Sequence, residues 1–442
     1  MLKKLFQKKN KKVAVLGLDG VPYTLLVTMM NNGHMPHLEK IINQGTLTSM
    51  TASIPEVSST SWSCFMTAVN PGKHGIYGFM EIDPDSYSFK FPNTNDLASK
   101  TLWEIAGGNG LKSIVINIPS TYPAKPLNGE LVAGFVALDL KKACYPESMF
   151  THLSGMGYRL DVDAGKAASS MDAFIEDLTL TFKKRKEAIL HYLRKKDWDL
   201  FVGAITETDR LHHYLWEAWE NCDHPRHAFF IDFYTELDTF IGDFHNLLDK
   251  QTPFIMLSDH GFTTIRQEVY LNRFLQEKGY LSFTSDSPRS FQDMAPQSTA
   301  FVLDPSRVYI HTKKRYSRGC VETSDYKQLC DCLKKDLLEF QIDGKQVIKE
   351  IFDARDLYIG RETHRAPDLV LLPHEGFDLK GKITERNLYG RGLLTGGHTR
   401  ENAMLYINRQ IPSGNPNITD VGATILDLLG ILTADLDGKS LV

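Results

Sequence analysis

Apolar residues recur along the chain in two registers. Short continuous runs at Val13–Leu18, Lys112–Ile118, Leu200–Ala204, Pro253–Leu257, Asp368–Leu372 and Ala403–Ile407 predict buried strands. Between them, apolar positions return every three or four residues, the helical period. Met35–Gly45 reads as a short helix with proline in its first turn and glycine after its end. Thr101–Gly107, the long amphipathic Met171–Lys195 and Ala228–Leu248 read as helices too, as does Ile418–Leu429, with Thr419 or Asp420 at its start. Strands alternating with helices of this length predict an α/β fold around a largely parallel sheet. There is no internal repeat. The most loop-like stretch, Ser285–Thr299, lies within residues 266–390, whose shorter elements predict a smaller inserted lobe or lid. The core then comprises 13–265 and 391–442, and residues 1–12 form a tail.

Composition narrows the class. With 442 residues, 42% hydrophobic and 24% charged, the chain can bury a large core without disulfide staples. No apolar run approaches the roughly 18 residues that would span a bilayer. The formal net charge of −4 hides six lysines within the first twelve residues, so the remainder carries −10. An acidic body argues against binding a nucleic acid polymer. The lysine-rich tip lacks the apolar stretch of a secretory signal and reads as a solvated tail. Its Leu2, Leu5 and Phe6 also suit weak contact with an anionic membrane surface, at the inner face of the membrane if the protein is cytoplasmic. Six unevenly spaced cysteines form no disulfide framework and suit a reducing cytoplasm. Cys330 and Cys332, two apart in a helical pattern, point to different faces rather than to one metal.

Candidate chemistry gathers at strand ends. Asp19 directly follows the first run, and Asp259-His260-Gly261 follows Pro253–Leu257. His398 lies in Gly396–Arg400, just ahead of Ala403–Ile407. Open α/β sheets bind ligands outside the carboxyl ends of their strands, so these positions can share a site. After Leu200–Ala204 comes Thr208–His213; if it is helical, Asp209 and His213 share one face while His212 points about a quarter-turn away. Each fragment alone is common in proteins without metal. Together, three carboxylates and three imidazoles suffice for two adjacent divalent cations of Zn or Mn type. Pro55–Ser63 precedes an apolar helical stretch, which puts hydroxyls near a helix N-terminus that favours anions. A hydroxyl there is either a plain cap or a metal-activated nucleophile.

These residues carry a resemblance to the alkaline phosphatase superfamily, in its type I phosphodiesterase / nucleotide pyrophosphatase branch, close to bacterial phosphohydrolases. The motifs run in order over nearly the whole chain: Leu18–Gly20, Pro55–Trp62, Asn70–Phe79, Thr101–Trp103, Thr208–His213, Ser258–Gly261, Ala366–Leu369, Gly397–Thr399 and Leu436–Gly438. The resemblance implies a three-layer αβα sandwich with an inserted lobe. It implies one metal held by Asp209, His213 and His398, and another by Asp19, Asp259, His260 and the nucleophile. The family nucleophile is usually threonine, four residues before the motif tryptophan; counting back from Trp62 gives Ser58, with Ser59 as its neighbour. Asn93, Asn95 and Lys73 are candidate substrate contacts. A sulfatase-type Cys/Ser-x-Pro-x-Arg motif does not occur near Ser58, and the roughly 150 residues from Ser58 to Asp209 leave little room for a mutase insert. The implied function is two-metal hydrolysis of a small phosphate ester through a phosphoseryl intermediate, with a phosphodiester or nucleotide pyrophosphate favoured over a monoester. The alternatives are a phosphoryl or headgroup transferase or phosphomutase, and a catalytically idle phosphate-binding protein.

Overall fold

The computed structural model describes residues 12–442. The basic tip, Lys12 apart, lies outside the described residues, and so does the expectation of membrane contact attached to it. The chain divides into two units. One runs to residue 69 and resumes over 93–262 and 398–442; the other comprises 70–92 and 263–397.

The first unit is built on an eight-stranded sheet. Its strands are β1 (Val13–Leu18), β2 (Thr46–Met50), β3 (Ser113–Ile118), β4 (Gly129–Ala133), β5 (Cys144–Tyr145), β6 (Leu200–Ile205), β7 (Phe254–Leu257) and β8 (Ala403–Ile407). They lie in the order β2-β8-β7-β1-β6-β3-β4-β5. The five from β7 to β4 are mutually parallel and every residue of β1, β3, β6 and β7 is buried, which is why they read as unbroken apolar runs. β8 is antiparallel to both β7 and β2.

Helices cover both faces. Gly203 and Ala204 are successive residues of β6 and so face opposite sides. A Cβ added to Gly203 would meet Ile189 of the helix α1 (Met171–Arg194) at 3.4 Å. On the other side Gly17, which pairs with Ala204, would carry a Cβ only 2.4 Å from Trp62. Glycine at 17 therefore lets the helix Ser58–Thr67 lie close on the sheet. Helices Leu102–Gly108 and Ile418–Leu428 accompany it there, and Pro36–Ile42 and His227–Asn246 pack with α1's layer. The Ile418–Leu428 helix is capped two residues before the earlier of the two positions the pattern suggests. Asn417 accepts from Thr419 N–H, and Asp420 is the third helical residue closing a capping box, so neither Thr419 nor Asp420 is the cap.

The second unit has its own core. An antiparallel sheet runs Ala300–Leu303, Arg307–Ile310, Leu369–Pro373, Ile348–Asp353, with helices Leu271–Glu277 and Tyr326–Leu338 contributing buried Phe274, Leu333 and Leu337. On Tyr326–Leu338, Cys330 is buried and Cys332 exposed, the two faces expected of that spacing. No helix among the described residues is long and apolar enough to cross a membrane.

Candidate metal centre

All seven residues expected to hold metal lie in the first unit, at one edge of its sheet. β1 ends at Leu18, so Asp19 is the first residue past it; Asp259 and His260 follow β7 by two and three residues. Asp209 sits in the first turn of the helix Glu207–Glu220 that follows β6, with His213 one turn on. His398 lies in the short strand Gly396–Thr399, ahead of β8 rather than after a parallel strand. Because β8 is antiparallel, its amino end lies at the carboxyl edge of the parallel strands, and that brings His398 to the others.

The side chains converge. His398 Nε2 is 3.1 Å from both Asp209 Oδ1 and His213 Nε2, and His213 Nε2 is 3.3 Å from the same carboxylate oxygen. His260 Nε2 is 3.4 Å from Asp259 Oδ2, 3.5 Å from Asp19 Oδ1 and 3.9 Å from Asp209 Oδ1. Two ligand clusters result, Asp209-His213-His398 and Asp19-Asp209-His260, and Asp209 is common to both. The rings of His260 and His398 stack at 3.6 Å.

Ser58 completes the second cluster. As the first residue of Ser58–Thr67, its Oγ lies 3.1 Å from His260 Nε2 and 3.4 Å from Asp19 Oδ1. Ser59 Oγ, one residue on, is buried with no hydrogen-bond partner. The Thr60 and Ser61 amides donate to the Val57 carbonyl, so an anion beside Ser58 would meet the amides of Ser58 and Ser59 and the positive end of the dipole.

Backbone and ring donors hold this set in place. Trp62, one turn after Ser58 on the same helix face, donates its indole N–H to Asp19 Oδ2 at 2.9 Å. Gly20 takes φ +65°, a conformation glycine adopts without a Cβ penalty, and its N–H donates to Asp259 Oδ1 at 3.1 Å. His398 Nδ1 donates to the Glu56 carbonyl and His260 Nδ1 to the Gly261 carbonyl, both at 3.0 Å. These two bonds fix the tautomers, so both Nε2 lone pairs point at carboxylates. The holding roles of Trp62, Gly20 and the Glu56 carbonyl were not read from the sequence. Only the four-residue step from Ser58 to Trp62 signalled any of them; a backbone carbonyl leaves no trace in side-chain pattern.

The electrostatics are those of a site short of positive charge. Burial, with the charges of Asp259 and Asp209, pushes Asp19 well above the usual carboxylate range, and burial lifts Asp259 to about 7. Burial acts the same way on Asp209, but the adjacent His213 outweighs it and holds that carboxyl well below the usual range. Burial and the neighbouring His260 push His398 down to about 3. Asp259 Oδ2 is buried without a hydrogen-bond partner. An orphaned carboxylate oxygen and two lone pairs aimed at anions are costly alone, and divalent cations would satisfy all of them. The donor set fits metal.

His212 belongs to the packing. Its Nδ1 donates to the Gly20 carbonyl at 3.0 Å and its Nε2 accepts from Tyr234 Oη at 2.7 Å. Of the candidate substrate contacts, Asn93 accepts the Asn95 N–H at 2.9 Å within its own turn, and Lys73 lies in the short helix Pro71–His74 of the second unit.

The sequence matches the family described as Type I phosphodiesterase / nucleotide pyrophosphatase over residues 13–399. The chain belongs to that family. No curated protein matches it by sequence. Among solved structures it is similar to phosphonoacetate hydrolase from Sinorhizobium meliloti 1021 in complex with phosphonoacetate, with a TM-score of 0.66 and 16% identity, covering 95% of this chain and 96% of that one. It is also similar to murine ectonucleotide pyrophosphatase / phosphodiesterase 5, with a TM-score of 0.59 and 14% identity over 97% of both chains. These likenesses establish the family's alkaline-phosphatase-like α/β fold.

Proposed function

We propose that the protein is a two-metal phosphohydrolase that cleaves a small phosphate ester with Ser58 as nucleophile. In this reading Asp209, His213 and His398 hold one cation, and Asp19, Asp259, His260 and Ser58 the other. A phosphodiester or pyrophosphate is the favoured substrate, and the phosphonoacetate bound to the Sinorhizobium meliloti enzyme is in keeping with a small phosphorus-containing anion. The observation that carries the proposal is the position of Ser58 Oγ, 3.1 Å from His260 Nε2 and 3.4 Å from Asp19 Oδ1 at a helix N-terminus.

The bound cations, of Zn or Mn type, would lower the pKa of the serine hydroxyl and neutralise the phosphate. The chain's own residues do the rest. Trp62 and Gly20 keep Asp19 and Asp259 from turning away, so Ser58 Oγ is held in one orientation. The amides of Ser58 and Ser59 would offer donors where charge accumulates on the equatorial oxygens. Ser58 Oγ forms a bond to phosphorus as the ester oxygen leaves with its electron pair and takes up a proton. Water then attacks phosphorus from the opposite side and Ser58 Oγ departs, which restores the hydroxyl.

The test is a panel of chromogenic phosphomonoesters and phosphodiesters offered to chelated protein after Zn, Mn or Mg is restored. Metal-dependent turnover is expected, and Ser58→Ala is expected to lose at least about 10³-fold in kcat with bound metal unchanged. An idle binding protein would show no turnover with any metal. A transferase would turn over only with an added alcohol acceptor.

A further inference from the structure

The second unit contains a cavity of about 970 Å³, the upper end of the roughly 300–1,000 Å³ typical of small-molecule sites. No residue of the metal cluster lines it. Its charge is lopsided. Six lysines and arginines line it against three carboxylates, and each of those carboxylates is already engaged. Glu81 takes both oxygens to Arg365, at 2.9 and 3.0 Å. Asp368 accepts from Tyr326 Oη at 2.6 Å and the Ile310 N–H at 2.7 Å, and Asp83 accepts from the amide and hydroxyl of Ser86, both at 2.8 Å.

Four cations are left with no carboxylate in ion-pair contact among the described residues. Arg315 donates only to backbone, to the Ala366 and Arg365 carbonyls at 2.6 and 2.7 Å. Its guanidinium stands over the rings of Tyr309 and Tyr316 at 5.0 and 5.3 Å. Arg355 stands over Tyr326 at 4.1 Å, and Lys314 and Lys327 are exposed. Burial disfavours the charge on Arg315, but Tyr316, Tyr309, Asp368 and Glu81 nearby outweigh it, so the guanidinium stays charged at the cavity wall, and the two exposed lysines beside the same cavity add positive charge that would draw an anion. Tyr309 and Tyr316 are themselves buried, so the flat surface offered to a planar ring is the exposed Arg355 guanidinium lying over half-buried Tyr326.

We infer that this cavity binds a small phosphate monoester carrying a flat ring, of nucleoside- or aryl-phosphate type, at a site separate from the metal cluster. The phosphate meets Arg315 and the two lysines, and the ring lies against Arg355 and Tyr326. Neither a catalytic step nor the metals are required, so the inference stands or falls independently of Ser58.

The test is calorimetric titration of the full chain after chelation, which removes anion affinity at the metal cluster. The probes are AMP, adenosine and inorganic phosphate. AMP is expected to bind at one per chain with a Kd below about 1 mM, at least about tenfold tighter than either fragment. In Lys314→Glu/Lys327→Glu, which alters two exposed side chains, the AMP Kd rises at least about tenfold; Arg355→Ala serves as a second variant and weakens AMP more than phosphate. Failure of the chelated parent to bind AMP overturns the inference. So does AMP binding that both variants leave unchanged, and phosphate alone binding as tightly as AMP removes the ring from it.

Discussion

Each side chain of the candidate metal clusters has two ends to satisfy, and the far end is where this site is specified. Asp19 is fixed by one oxygen to Trp62 Nε1, leaving the other beside Ser58 and His260. Removing such an outer partner costs roughly 10–100-fold in metal affinity or activity. Trp62→Phe keeps most of the ring volume and removes the N–H, so metal affinity is expected to fall by about that factor. Metal titration against a competing chelator reads it, and an unchanged affinity would show that the indole bond does not orient Asp19. At this scale the sequence was informative about identity and silent about orientation. Asp19, Asp209, Asp259, His260 and His398 could be named because strand ends collect ligands. The serine register could be counted only from Trp62, and Ser58 Oγ lies within 3.4 Å of His260 Nε2 and Asp19 Oδ1 while Ser59 Oγ has no hydrogen-bond partner.

Among the elements, the wholly buried parallel strands β1, β3, β6 and β7 were legible to within a residue or so because burial on both faces leaves almost only apolar side chains, Ser113 and Asn117 of β3 being the exceptions; the half-buried parallel strand β4 was not read. The same runs carry no direction. Val13–Leu18 and Ala403–Ile407 look alike as sequence, yet one is parallel to its neighbours and the other antiparallel. That difference explains why His398 comes before β8. Long-range ties between elements are also hidden. On α1, Asp177 is buried and accepts from Arg159 at 2.7 Å, from the Asp163 N–H at 2.9 Å and from Lys166, which fastens residues 159–166 to the helix. Burial raises its pKa, but Lys166, the amide and Arg159 together outweigh that and lower it. A carboxyl with a depressed folded pKa contributes stability above its unfolded pKa, near 3.9, and loses it as pH falls through the folded value. Asp177→Asn is therefore expected to cost about 1–3 kcal/mol at pH 7. That deficit should shrink below about pH 4, read by denaturant unfolding at several pH values. A deficit constant from pH 7 to pH 3 would mean that the charge is not what holds the segment.

For the whole molecule, the question is what the metal cluster costs when nothing fills it. Residues 70–92 group with the second unit although all of 93–262 lies between them and its main segment, a closure that no local pattern announces. The ligands are likewise gathered from the full length of the first unit, Asp19 near one end and His398 near the other. Three carboxylates crowd neutral imidazoles there, with Asp259 Oδ2 unpartnered, so the metal-free fold carries unrelieved repulsion and desolvation. A cation bound only by the folded chain stabilises it by RT ln(1 + [M]/Kd), about 2.7 kcal/mol at a hundredfold excess over Kd. Chelation is expected to lower the thermal midpoint of the wild type by several degrees. His398→Ala, which removes one ligand of the first cluster, should show a smaller loss on chelation and a smaller gain on adding Zn or Mn. The control is Asp19→Asn: burial and the charges of Asp259 and Asp209 disfavour the Asp19 carboxylate, so removing its charge relieves part of the crowding and its metal-free form should be at least as stable as metal-free wild type. If chelation left the wild-type midpoint unmoved, or if metal-free Asp19→Asn unfolded earlier than metal-free wild type, the cluster would have to be held together without cations, by protons on Asp19 and Asp259 instead.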